Sequence, residues 1–139
     1  MSQRSARGIE RRGLDAAFEA EEARKSSLIL EAQLLREQQQ DETAAEKFAQ
    51  AAEIEERLSD LCEARGLVEK SFVHRFSAAS CWAQAGNFYR ALALCDGLLA
   101  RADLSDRLRQ RVEEYAAAIR ARRSQWYKGL ALAPASSER

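Results

Sequence analysis

Proline is nearly missing from this chain. The single residue, Pro134, stands near the C-terminus, so residues 1–133 contain none. A proline inside a helix costs about 3 kcal/mol, so nothing of that kind interrupts a helical reading. Glycine is also sparse, with six residues, all isolated. That excludes the glycine-rich loops that cradle phosphates. Histidine occurs once, as His74, which leaves no histidine for a catalytic triad of the usual form beyond that residue and none for a histidine-rich metal site. The three cysteines, Cys62, Cys81 and Cys95, are odd in number and form no Cys-x-x-Cys pair. They fit neither a disulfide framework nor a zinc pattern. They lie on apolar stripes, where reduced cysteine acts as a small hydrophobe. His74 and Cys81 are seven residues apart, about 10 Å along a helix axis, too far to pair as base and nucleophile. The first residues contain no hydrophobic signal-peptide core, and no apolar run approaches 18 residues. We therefore expect no catalytic residues, no metal site, no cofactor, no membrane partner and a cytoplasmic location.

What is present points to helix. Apolar residues make up 46% and charged residues 32% of 139 residues, a composition suited to one packed domain. A compact chain of this size buries roughly two-thirds of its unfolded surface. Runs of alternating β-branched residues bounded by turn clusters are missing, so no strand is expected. Apolar positions recur at three- and four-residue spacing. Leu14, Phe18, Leu28, Ala32 and Leu35 suggest a first helix from about Leu14 to Gln40. Asp41 is placed to cap a second helix running to about Arg65, with Ala45, Phe48, Leu58, Leu61 and Cys62 inward. Gly66 suits its end. A third helix spans about Leu67 to Ala85. Gly86 then Asn87 reads as a stop and a cap, and a fourth helix runs to about Ala102. Asp103 is placed to cap a fifth, whose stripe is Leu104, Leu108, Val112, Tyr115, Ile119 and Trp126, ending at Gly129. Short turns between helices force antiparallel neighbours. The expected fold is all-α, about five antiparallel helices in residues 14–130. A flexible basic arm (1–13) precedes it and a disordered tail (131–139) follows.

Formal charge sums to zero, but unevenly. Residues 1–12 carry four Arg against one Glu, residues 13–100 nine basic against sixteen acidic, and residues 101–128 eight basic against four acidic. Basic ends are one mark of nucleic-acid binding. With the total balanced, nucleic-acid binding through the Arg-rich arm and the fifth helix stands only as a weaker alternative.

Residues 72–105, FVHRFSAASCWAQAGNFYRALALCDGLLARADLS, resemble a tetratricopeptide repeat, a helix–turn–helix unit of 34 residues. Ala79 falls at the small position where the two helices cross, Trp82 at the large aromatic, Gly86 at the turn, Phe88 at the following aromatic and Ala91 at the second small position. Small residues let helix axes approach, and aromatics fill the space around them. Arg75, Leu98 and Asp103 depart from the family pattern. Leu28 to Ala52 fits the same template more loosely, with Ala45 in the role of Ala91. The alternative is a generic helical bundle with a chance match.

The resemblance implies helical hairpins closed by a C-terminal capping helix. It also implies a partner-binding concave face lined by the first helix of each unit. That face would carry Val73, Phe76, Ser80, Ala83 and Gln84, with Leu30, Leu34 and Gln38 from the looser unit. The Lys and Asn clamp that many relatives use for a C-terminal carboxylate is absent, so the resemblance favours an apolar or helical ligand. The expected function is a non-catalytic protein–protein interaction module, an adaptor or scaffold. The alternative is a homo-oligomer in which the long first helix pairs with its copy. Trp126 and Tyr127, beside Arg122 and Arg123, would close the bundle end or anchor a partner.

Overall fold

The computed structural model describes the backbone of residues 2–137 and the side chains of residues 15–130. Five helices and no strand occur among the described residues: α1 (Ser2–Glu37), α2 (Asp41–Ala64), α3 (Val68–Gln84), α4 (Phe88–Leu99) and α5 (Asp106–Ser137). The arm and tail read from sequence are drawn into the ends of α1 and α5, and their side chains lie outside the described residues.

Three of the four connections are three-residue turns of one kind. Gln39, Gly66 and Gly86 each take a positive φ, at 62°, 76° and 84°. In each turn the next amide reaches back to close a six-residue ring: Gln40 N to Leu35 O, Leu67 N to Cys62 O and Asn87 N to Trp82 O, at 2.8–2.9 Å. This satisfies carbonyls a helix end otherwise leaves unpaired. Asn87 caps α4, its Oδ1 accepting from Arg90 N at 3.1 Å. Two capping assignments are corrected. Asp41 is the first residue inside α2 rather than its cap, where its charge favours the helix N-terminus. Ser105, not Asp103, caps α5, its Oγ accepting from Leu108 N at 3.3 Å. Asp103 instead receives two bonds from Arg101, both 3.0 Å.

Each helix packs mainly on its chain neighbours, α2 between α1 and α3, α3 on α4, and α4 on α5. Glu22 meets His74 and Arg36 meets Gln84, so α1 and α3 run parallel. Phe76 meets Tyr115 edge-on at 5.4 Å, which brings α5 beside α3. The odd helices thus form one row and the even helices a second. Ala79 and Ala91 are fully buried in the common core, on either side of the Gly86 turn. Ser59 and Ser71 also sit at zero exposure, with Ser59 Oγ donating to Ser71 O at 2.8 Å. Small residues with satisfied hydroxyls let α2 and α3 approach closely.

Two core assignments need correction. Leu61 is exposed, while Ala44, Ala51, Ile54 and Glu55 are buried, because α2 is covered on two sides and its buried surface is wider than one stripe. Trp126 leaves the α5 stripe for solvent, and Tyr127 is exposed beside it. α5 outruns α4, so neither aromatic has a helix to cover it.

Candidate partner-binding groove

The row of odd helices presents a groove between α3 and α5. Two clefts lie along it. One, of about 320 Å³, is walled by Phe72 and Val73 on α3 and by Arg107, Leu108 and Arg111 on α5. The next, of about 330 Å³, is walled by Phe76 and by Arg111, Glu114, Tyr115 and Ala118. Arg111 belongs to both, with its guanidinium carbon 5.5 Å from the Phe76 ring centroid. The walls are apolar, with cations at Arg107 and Arg111 and carboxylates at Glu69 and Glu114 toward the rim.

The residues named from sequence divide among three places. Val73, 54% exposed, and half-buried Phe76 line the groove. Ser80 is half-buried further along α3, and Gln84 at its end accepts from Arg36 through both its side-chain and main-chain oxygens. Ala83 is 2% exposed and turned into the core, so it offers a partner no surface. Leu30, Leu34 and Gln38 are exposed on α1 but line neither cleft. They follow buried Leu28 and Ala32 by two residues or more, about 200° around the helix for Leu30 and Leu34. The second wall, from α5, escaped the sequence reading, which took that helix as a cover and offered a partner only Trp126 and Tyr127 near its end. Arg107 and Arg111, one turn apart beside Leu108, were the available signal.

The lone histidine is a buried tie. His74 Nδ1 lies 3.1 Å from Glu55 Oε1, Nε2 lies 3.6 Å from Glu22, and Lys25 Nζ lies 3.5 Å from the same Glu55 oxygen. The Phe18 ring meets the imidazole edge-on at 5.7 Å. These contacts lock α1 onto α2 and α3. Burial pushes the Cys81 thiol up to about 12 and the Cys95 thiol to about 11, so both are protonated, weak nucleophiles at neutral pH. Among the described residues no group of three His, Cys, Asp or Glu side chains is placed to hold a metal. No helix among them is long and apolar enough to cross a membrane.

Polar nodes brace the walls. Glu63 accepts from Arg75 at 3.0 Å and from Arg101 at 2.8 Å, which holds its carboxyl below the usual range. The Trp82 indole N–H donates to Glu56 at 2.8 Å, and Arg90 stacks on the indole at 4.0 Å while donating to the same carboxylate. Comparison with known proteins finds no matching family model, no similar curated protein and no similar solved structure.

Proposed function

We propose that this chain is a non-catalytic protein–protein interaction module that binds a protein or peptide segment in the groove between α3 and α5. The observation that carries the proposal is the pair of adjoining clefts walled by Val73, Phe76, Leu108 and Tyr115 and joined by Arg111. Apolar side chains of a ligand suit the clefts, and a carboxylate on it suits Arg107 or Arg111. The tetratricopeptide-like pattern of residues 72–105 supports the same reading, because such hairpins serve as binding scaffolds. Three unpaired, buried cysteines suit a reducing, cytoplasmic setting.

The test compares affinity purification with the wild-type chain and with a Val73→Asp/Arg111→Glu variant. Both positions are at the surface, so helical content by circular dichroism should be unchanged. Partners captured by the wild type should fall at least about tenfold, the equivalent of about 1.4 kcal/mol. Unchanged capture by the folded variant would refute the groove as the binding site.

A further inference from the structure

Two exposed patches lie at opposite ends of the helical row, and they complement each other. At the α5 end, Trp126 (54% exposed), Tyr127 (59%) and Leu130 stand beyond the first turn of α4. Trp126 and Tyr127 pack edge-to-face at 5.1 Å and form one apolar knob. An open cleft of about 690 Å³ separates them from Phe88 and Tyr89 at the start of α4. Residues 115–130 carry Arg120, Arg122, Arg123 and Lys128 and no carboxylate. Arg120 pairs with Asp96 at 3.2 Å. Arg122, Arg123 and Lys128 have no ion pair among the described residues.

At the α1 end, Leu30 (59%) and Leu34 (50%) lie one turn apart on the side of α1 turned from the bundle. The stretch that holds them, residues 26–46, carries Glu31, Glu37, Asp41, Glu42 and Glu46 against a single Arg36. Arg36 is engaged on Gln84 and over Phe48, and Glu31 is paired with Lys47. Glu37, Asp41, Glu42 and Glu46 have no ion pair among the described residues. An apolar pair in an acidic stretch of chain thus sits at one end, and an aromatic knob beside cations at the other.

We propose that the two patches bind each other between copies of this chain, so that the α5 end of one molecule docks on the outer face of α1 in the next. Contact within one molecule is blocked, because α3 stands between α1 and α5 in the row of odd helices. Contact between like patches is opposed by charge: two α5 ends set cation against cation, and two α1 faces set carboxylate against carboxylate. The unlike pairing removes both conflicts and covers every large apolar residue named. Such a head-to-tail interface leaves one patch free at each end and extends until it closes. It uses neither wall of the α3–α5 groove and stands independently of the function proposed for it.

Sedimentation velocity on the full chain at low salt should show the average mass rising with concentration from 15.6 kDa, and added salt should reverse the rise. Leu30→Asp/Leu34→Asp and Trp126→Asp/Tyr127→Asp should each be monomeric. Their equimolar mixture should form a one-to-one dimer and nothing larger, because one intact junction remains. A charge exchange avoids altering the apolar residues. Arg122→Glu/Arg123→Glu should be monomeric, and mixing it with Glu37→Arg/Glu42→Arg should restore association. Val73→Asp should assemble as the wild type does. A wild type that stays monomeric at all concentrations overturns the proposal. So does a variant mixture that stays monomeric, or one of the double variants assembling alone. A labelled single-stranded oligonucleotide that binds the α5 patch while the protein stays monomeric would overturn it in favour of nucleic acid.

Discussion

Glu55 is 1% exposed and holds one carboxylate oxygen within 3.5 Å of Lys25 and 3.1 Å of His74. Removing one member of a buried charged cluster strands the others, at a cost of about 3–5 kcal/mol. Glu55→Ala should therefore lower unfolding free energy by about that much in urea denaturation, while Glu55→Gln, which keeps an acceptor for His74, should lose less. A loss under about 1 kcal/mol for Glu55→Ala, within the range of ordinary surface changes, would show that the cluster does not hold α1 in place. A second effect at this scale follows from the thiols. Unfolded cysteine ionises near 9.0, whereas buried Cys81 and Cys95 ionise near 12 and 11. Below pH 9 both states keep the protons and the stability is fully present. Between pH 9 and 12 the unfolded chain loses them first, so stability should fall with rising pH, by on the order of a few kcal/mol in total. Denaturation midpoints from pH 8 to 11 test this, and Cys81→Ala should flatten the slope. The cysteines' place on apolar stripes was readable along the chain, but the His74 cluster was not. His74 looked like an isolated histidine because Glu55 is 19 residues away and on another helix, and partners across helices leave no local pattern.

The three matching turns show what the sequence does announce at the scale of the element. Gly66 and Gly86 mark their turns openly, since glycine adopts positive φ without steric cost. The first turn carries the same geometry on Gln39, at φ 62°, and only the polar run Gln38–Gln40 hints at it. An L-residue in this region costs about 1–2 kcal/mol. Gln39→Gly should accordingly stabilise the protein by about 1 kcal/mol, read as a higher denaturation midpoint. Gly86→Ala should destabilise it by a similar amount. A methyl at residue 86 meets nothing within 4 Å, so that loss would be conformational alone. A Gln39→Gly variant less stable than wild type would mean the turn draws on the glutamine side chain. Helix existence was readable throughout because residues 1–133 hold no proline and apolar spacing is regular. Helix ends were readable only where glycine or Asn87 stood. The Asp103 cap misled because the α4–α5 loop is longer than a tight turn and Arg101 claims the carboxylate. The groove was half readable: Val73 and Phe76 belong to the repeat-like pattern, whereas Arg107 and Arg111 face them only because α5 returns beside α3.

In the whole molecule, stability passes from helix to neighbouring helix, and that order has a measurable consequence. α5 buries Val112, Ala116 and Ile119, chiefly against α4, and Leu104 in the loop before it is buried as well. Arg109 adds a brace, donating to Leu99 O and Arg101 O at 2.7 Å each and closing the end of α4. The contacts of α2 are with α1 and α3, and its polar ties reach Lys25, Ser71, His74, Arg75, Trp82, Arg90 and Arg101. Only one of these, Arg101, lies beyond α4, and it precedes α5. A chain ending after residue 102 should therefore lose order first in α4, whose Leu92, Cys95 and Leu98 would be uncovered, while α2 keeps most of its protection. In arrays coupled through nearest neighbours, removing an end cap weakens the adjacent unit most and distant ones little. Hydrogen exchange resolved by segment is the measurement. Protection should fall strongly in residues 88–99 and little in residues 48–62, and the exposed α4 face should make the truncated chain prone to associate. Equal loss in both segments would mean that the five helices fold as one indivisible unit, in which docking at the α5 end would be felt directly in α1. Retained protection in α2 would mean that the two ends of the row, which the charge pattern sets against each other, respond to partners separately.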